Sequence, residues 1–555
     1  MSPLKAILWS VLCSAIVGVV SCSPSSPQVG SQTNWLRSCD GAEDCDGLEC
    51  LCGVCTTRCT DTMECEVGAC VAATDEGAVA LCDGKPLGDR LCLSRCDDDA
   101  SCPGASSCVA GVCSPLAEAE ARVDVDPEVR HQALVGFGAS LAFSEEAIVG
   151  FEDKAALYDV MFVESGFDVI RLRNRFEGDN PGDLQPVLEI ITEAERRLGR
   201  APTLFMTSGS PPAALKANGN RYCENADPLC TLARNEDGDF DYEGFGEYWR
   251  ASLEAYAELG IRPEFVSLQN NTDWIPPGEN GPEACRFLPE EGTMTMNTPD
   301  GEVDAEFPGF TRALEAVRSA TSSLDADYSF TAAEAGSPIM VARYVDPLNE
   351  EDYGAIAFHL FGFKANDVAL DQLERLRALG ERGGKPVIQS EMDARGLDAA
   401  ILTHYTLTVA NAAAYLQQGF VNATLDEASS VPIGALDGTI VKLPTYHALS
   451  HFALRTDPGW RRVDALMDSS DVLSSAWLSP NEEALTIVLI NPGDSTVAVE
   501  VAAPAPFDAR LNEARVSRTV FDGTERSAEL GTLPRNRVVR LPGQGIVTIA
   551  IGDAS

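Results

Sequence analysis

The chain has 555 residues, 45% of them hydrophobic, with 41 basic against 85 acidic side chains and a net charge of −44. That length is enough for one barrel-sized core together with smaller units. The charge excludes nucleic acid and anionic bilayers as electrostatic partners, and no basic stripe interleaved with aromatics offsets it.

The first residues read as an export segment: Lys5, the apolar run from Ala6 to Val20, then the small residue Ser21. The run is too short to span a bilayer. Val19-Val20-Ser21-Cys22 resembles a bacterial lipobox, in which the cysteine becomes the lipidated first residue of the mature chain. The alternative is an ordinary signal peptide cut nearby. The expectation is a signal over 1–22, lipid on Cys22, a Ser/Pro/Gln-rich tether over 23–38, and a place in the bacterial cell envelope, at the outer membrane or cell surface. Membrane contact would come from that lipid alone.

Fourteen cysteines lie between Cys39 and Cys113. So small an exported segment with few large apolar residues needs cross-links to hold its shape, so residues 39–113 are expected to form a disulfide module. Cys55-x3-Cys59-x5-Cys65-x4-Cys70 is echoed by Cys92-x3-Cys96-x5-Cys102-x5-Cys108-x4-Cys113, which suggests two related small units of undetermined pairing. Cys52-x2-Cys55 also has zinc-ligand spacing, but the segment holds no matching second pair or histidine, and disulfides are expected instead.

After a connector from Ser114 to Arg122, short apolar runs alternate with longer amphipathic ones, the pattern of parallel strands joined by helices. Strands are expected at Ala133 to Phe137, Val169 to Arg173, Thr203 to Thr207, Phe265 to Gln269, Tyr328 to Ala332, Ala355 to Leu360, Pro386 to Ser390 and Phe420 to Leu425. Helices are expected at Asp183 to Leu198, Phe245 to Leu259 and Asp371 to Leu379, where apolar residues recur every three or four. Eight such strands fit an α/β fold, a (β/α)8 barrel over 123–440. From Val441 short alternating runs broken by turns predict an antiparallel β-sandwich over 441–555, with strands at Thr486 to Ile490, Val497 to Val501, Val516 to Val520 and Gly545 to Ile551.

Barrels of this kind collect their chemistry at the carboxyl ends of the strands. Gln269 to Asn271, Glu334, His359 and Glu391 all fall at or just past such ends. Several blocks in order also resemble glycoside hydrolase family 30, from about Val123 to Gly552. They are Gly136-Phe137-Gly138-Ala139-Ser140; Ser210-Pro211-Pro212-Ala213 with Lys216 and Asn218-Gly219; Ser267 to Asn270 followed by Asp273-Trp274; Glu283-Ala284-Cys285; His359; Glu391; and Tyr446 to Gly459.

The resemblance implies a barrel and β-sandwich acting on a β-linked oligo- or polysaccharide with retention of configuration. It makes Glu391 the nucleophile, has Arg171 hold it ionised, sets Asn270 on a sugar hydroxyl, and places His359 and Trp274 at the sugar site. The departures matter as much. Asn271 stands where the acid/base glutamate belongs, and an amide moves no proton usefully near neutral pH. Gly209, Ala214 and the segment Asn422 to Leu425 lack the family's aromatic residues, removing stacking faces for sugars. Asp273, two residues past Asn271, and Glu334 are the candidates for a substitute acid.

Cys223 and Cys230 are close enough to bridge, leaving Cys285 odd and expected to be buried. With no phosphate-binding glycine loop, zinc signature or nucleophile elbow, neither cofactor nor metal is expected. Two functions remain open: an exported glycosidase with an altered acid position, or a non-catalytic surface protein that binds carbohydrate through a degenerate barrel.

Overall fold

A computed structural model describes residues 35–552, apart from 40, 66–67, 73, 84–88, 103, 178–181 and 524. The expected signal, Cys22 and the tether as far as residue 34 lie outside the described residues. The chain divides into two compact units, 1–57 and 58–555. The boundary falls inside the cysteine-rich segment.

Within the first unit, a hairpin of Glu49–Leu51 and Val54–Thr56 is held by Cys39–Cys50 and Cys45–Cys55. In the second unit the same interlaced pairing, first to third and second to fourth, recurs as Cys59–Cys70 with Cys65–Cys92 and as Cys96–Cys108 with Cys102–Cys113. Three related knots therefore replace the expected two. Cys55 is held in a disulfide, so the zinc alternative fails.

The later cysteine-rich part is docked on the C-terminal sheet. Asp83 pairs with Arg540 at 2.8 Å, the buried Arg518 donates to the Ala80 carbonyl at 2.7 Å, and the Ala110 amide donates to the Leu530 carbonyl at 2.9 Å. Burial would raise the Asp83 carboxyl, but Arg540 and Arg518 outweigh it and hold it below the usual carboxylate range.

Eight parallel strands close into a barrel in the order Val169–Arg173, Thr203–Thr207, Phe265–Ser267, Ser329–Ala335, Ala355–His359, Val387–Glu391, Ala414–Gln417 and back to Gly136–Ser140. Taking Gly136–Ser140 as strand one makes Glu391 the last residue of strand seven. Val169, Phe205, Phe265, Ala357, Ile388 and Leu416 pack together inside the barrel. Helices such as Gln185–Leu198 and Tyr242–Glu258 cover the outside with their apolar faces. The Gly-Phe-Gly opening of strand one has a steric cause: a Cβ on Gly138 would lie 1.8 Å from the Val169 carbonyl oxygen.

Strand one is Gly136–Ser140 where Ala133 to Phe137 is expected, and two further strands differ from the sequence expectation. Strand eight is Ala414–Gln417, whereas Val421–Asn422, inside the expected Phe420 to Leu425, pairs with Ile433–Leu436 in a small separate sheet. The run Ala412-Ala413-Ala414 has weak strand propensity and reads as a continuation of the helix Gly396–Thr408. A strand buried on both faces against its neighbours tolerates small residues, and Ala414 sits in the barrel interior.

The second difference is Ala121–Ala133, read as connector and barrel entry, which is a long strand of the C-terminal sheet. It lies between Arg461–Met467, antiparallel, and Val497–Ala502, parallel. Its alternating Ala121, Val123 and Val125 point into that sheet's core with Ile487, Leu489, Val501 and Val547.

The C-terminal sheet has nine strands and includes Leu485–Asn491, Arg515–Val520 and Gly545–Ile551, close to the expected runs. Leu485, Ile487 and Leu489 face its own core, while Val488 and Ile490 join the barrel's. That double burial fixes the sheet against the barrel, so the strand ends that carry the polar residues rest on a firm base.

Candidate active site

The carboxyl ends of the strands surround a cavity of about 560 Å³. Arg171 comes from strand two, Thr207 from strand three, Asn270 and Asn271 from just beyond strand four, Glu334 from strand five, His359 from strand six and Glu391 from strand seven. The two-residue period of a strand aims such end residues inward.

Arg171 is buried and its Nη2 divides between two carboxylates, 3.0 Å from Glu391 Oε2 and 3.0 Å from Glu334 Oε1. The same nitrogen donates to Asn270 Oδ1 at 2.8 Å, which leaves the Asn270 amide hydrogens for another acceptor. Glu334 is fully buried, takes the Thr207 hydroxyl on Oε2 at 2.7 Å, and lies 3.1 Å from His359 Nε2. Burial would raise its carboxyl, but the charges and hydrogen bonds of Arg171 and His359, with the Ser390 hydroxyl, outweigh that effect and hold it far below the usual carboxylate range. Glu391 is partly exposed and lines the cavity; Glu334 lies beneath it and does not.

His359 sits between the two sides of the mouth. Its Nε2 lies 3.9 Å from Glu391 Oε2, and its Nδ1 is 3.0 Å from Asn271 Oδ1. Asn271 also adopts a left-handed backbone, φ 50°, which asparagine accepts more readily than most residues. Asn271 thus has a structural role as the His359 partner and as a turn residue, besides occupying the acid position.

Asp273 lines the cavity and accepts the Gly336 N–H on Oδ1 at 2.9 Å. Its neighbour Trp274 lines the cavity and is partly exposed. Arg286 donates to the Asp273 carbonyl and helps to fix this loop. The structure therefore brings Arg171, Asn270, Asn271, Asp273, Trp274 and Glu391 to one cavity, with His359 and Glu334 in the layer behind.

Phe143, Phe361, Arg173 and Glu283 are among the cavity residues to which the sequence assigns no role. Phe143 and Phe361 supply rings from the loops after strands one and six, where no periodic pattern marks them. Arg173 follows Arg171 by two on the same strand, so the strand period could have revealed it. Glu283 fills the space that Gly209 leaves open: a Cβ on Gly209 would lie 2.7 Å from Glu283 Oε2. Arg221 holds that carboxylate at 3.2 Å.

Strand eight gives the cavity nothing among the described residues, and Gln417 is engaged with the Ala394 and Ser430 carbonyls at 2.8 Å. The missing aromatic residue at Asn422 to Leu425 therefore belongs to a segment outside the barrel strand. Cys223 and Cys230 are bridged as expected, and Cys285 is free and buried, which pushes its thiol up to about 12.

No family model matches the sequence, and no curated protein does. Solved structures do match, and the likeness is to glycoside hydrolase family 30 proteins. The family 30 subfamily 8 xylanase Xyn30A from Clostridium acetobutylicum is 22% identical, with 78% of this chain and 100% of that one covered at a TM-score of 0.57. The family 30 endoxylanase from Clostridium papyrosolvens C71 is 17% identical, with the same coverage and a TM-score of 0.58. The endo-β1,6-glucanase BT3312 is 12% identical over 79% of this chain and 96% of its own, at 0.57. The chain has the barrel-and-sheet fold of these glycosidases.

Proposed function

We propose that the chain is a glycoside hydrolase that cleaves β-linked oligo- or polysaccharides with retention, using Glu391 as nucleophile. The observation that carries this reading is Glu391 itself, a carboxylate at the cavity floor held 3.0 Å from the buried Arg171 guanidinium. Arg171 pairs with it and aims it, and attack on the anomeric carbon forms a glycosyl-enzyme. The free amide hydrogens of Asn270 donate to a sugar hydroxyl.

Glu334 serves as a second counter-charge for Arg171. Buried, hydrogen-bonded on both oxygens and held ionised, it has no proton to give and no path to a leaving group. Asp273 takes the acid/base role left by Asn271, since it reaches the same cavity. Its shorter side chain makes it the weaker acid donor, so activated leaving groups are favoured.

A mechanism-based fluorinated β-glycoside should label Glu391, seen by peptide mass spectrometry, and Glu391→Gln should abolish both labelling and turnover of dinitrophenyl β-glycosides. Unchanged turnover in that variant removes Glu391 from the mechanism. Asn271 supports the second reading, a surface protein that binds carbohydrate without cleaving it; that reading is sunk by labelling at Glu391.

Export and lipid attachment at Cys22 belong to the same proposal and rest on the lipobox-like sequence. Incorporation of labelled palmitate by the native chain and its loss in Cys22→Ser would support them; no incorporation would remove the anchor.

A further inference from the structure

With Glu391 as nucleophile, the reading on which the present proposal rests, in-line displacement sends the leaving group away from the attacking oxygen. Strand seven stands four places from strand three in the closed barrel order, so a group leaving Glu391 is directed at the wall formed by strands two, three and four. That wall presents Arg173, Gly209 and Asn271 to the cavity, with Asp273 beyond. At the usual acid position it offers no proton, and elsewhere on the same wall stands a cation.

Arg173 makes no ion pair among the described residues. Its Nε is buried without a hydrogen-bond partner, and its guanidinium carbon lies 4.3 Å from the centroid of the exposed Phe143 ring. Arg175, two residues further on, is by contrast paired with Glu146 at 3.0 Å. The buried Glu145 carboxyl, which also interacts with Arg173, is pushed up by desolvation and does not line the cavity. The other carboxylates on the cavity wall are engaged elsewhere: Glu283 with Arg221, Asp273 with the Gly336 N–H.

We propose that this leaving-group wall is an oxoanion site with Arg173 as its cation, so that phosphate, besides a sugar, is a group that departs from or arrives at the anomeric carbon. An alkoxide needs a proton to leave, whereas a glycosyl phosphate in its monoanionic form, before the second ionisation at about 6, carries its own proton and expels hydrogen phosphate without an acid from the protein. A glutamate at 271 would repel that anion, and the Asn271 amide can donate a hydrogen bond to it. A planar guanidinium is suited to two parallel bonds to phosphate oxygens.

In the forward direction a Glu391 oxygen bonds to the anomeric carbon as the bond from that carbon to the phosphate oxygen breaks, and the electron pair leaves with phosphate. Water then attacks the glycosyl-enzyme, giving its proton to Asp273 and freeing Glu391. In the reverse of the first step, inorganic phosphate attacks the glycosyl-enzyme and yields a glycosyl phosphate, with no base required.

The test uses the whole chain, a panel of 2,4-dinitrophenyl β-glycosides to form the glycosyl-enzyme, and inorganic phosphate as acceptor. Phosphate should raise turnover and give glycosyl phosphate, identified by phosphorus NMR. Arg173→Gln should lower the ratio of glycosyl phosphate to free sugar by about 10 to 100-fold, the range for losing one charged hydrogen bond, and Arg173→Lys should restore part of it. No glycosyl phosphate, or an unchanged ratio in Arg173→Gln, overturns the proposal.

Binding is read separately from turnover. Inorganic phosphate should show a broadened phosphorus line with Glu391→Gln and a sharp one with Glu391→Gln/Arg173→Gln. If dinitrophenyl glycosides give no glycosyl-enzyme, the glycosidase reading fails. The line width still decides the oxoanion site, and a sharp line with Glu391→Gln overturns it.

Discussion

On the strand-seven side of the cavity, Glu391 rests on Arg171, and Glu334 beneath it is satisfied by Thr207, Arg171 and His359. On the facing side, Gly209 has no side chain, Asn271 has an amide for a carboxyl, and Arg173 has no ion-pair partner among the described residues. The first side is a charge network in which each member depends on the others. The second has fewer couplings, Asn271 to His359 at 3.0 Å and Glu283 to Arg221 at 3.2 Å, so it could change with less cost to the barrel. A site remodelled on its leaving-group side alone keeps the means to attack an anomeric carbon and changes what it can expel.

The largest expected effect comes from restoring the carboxyl. Asn271→Glu should raise hydrolysis of unactivated β-glycosides by about 10² to 10⁴-fold, the usual contribution of general acid catalysis, and leave dinitrophenyl glycosides nearly unchanged. The left-handed backbone at 271 should cost the variant about 1 to 2 kcal/mol, seen as a lower Tm. Equal gains on both substrate types would mean that the missing acid is not what separates the two sides.

Next is the network itself. Removing one partner of a buried ion pair typically costs about 3 to 5 kcal/mol. Glu334→Gln keeps the shape and Arg171 retains Glu391, so a loss near about 3 kcal/mol is expected in denaturant unfolding, with turnover falling as Arg171 is drawn wholly to Glu391. Asp273→Asn, on the facing side, keeps the oxygen that accepts from Gly336 and should move stability by less than about 0.5 kcal/mol while slowing hydrolysis about 10²-fold. A large stability loss there would make Asp273, like Asn271 through His359, part of the network around Glu391.

Legibility in the sequence divides along similar lines. Strands two and three, Val169–Arg173 and Thr203–Thr207, match their apolar runs residue for residue, and Arg171 is found with its strand. Strand eight is misplaced because Ala412-Ala413-Ala414 carries almost no strand propensity, and only closure of the barrel makes it a strand. Glu283 replaces a ring at Gly209 from a loop more than seventy residues later, a spatial exchange that no local pattern records. Phe143 and Phe361 are hidden in the same way.

Acid should separate the barrel–sheet junction from the cavity. Burial pushes His404 and His451 down to about 3 and His447 to about 4; His451 is held between Thr548 and Thr519 at 2.8 and 2.9 Å. Each is neutral in the fold and takes a proton when unfolded, so its contribution is complete above about pH 6.5 and declines as pH falls towards the folded values. Each contributes about 1.4 kcal/mol per pH unit across that window. Asp168, pushed up to about 7 by burial, acts the other way below pH 7 and offsets one histidine. A falling Tm between pH 6.5 and 4 that is shallower in His451→Gln would place the effect at the junction; an unchanged slope would not.

The smallest effect tests whether Glu283 really occupies the vacated place on the strand-three wall. A Cβ at Gly209 would meet Glu283 Oε2 at 2.7 Å, the far end of a flexible side chain, so Gly209→Ala should shift Glu283 off Arg221 rather than unfold the loop. A cost of about 1 kcal/mol is expected, and because the two residues touch, the cycle with Glu283→Ala should show a coupling of at least about 0.5 kcal/mol. With Glu283 truncated, the alanine has room and should cost little. Additive effects would mean that the carboxylate does not depend on the glycine, and the leaving-group wall would then have lost its ring without any compensating partner.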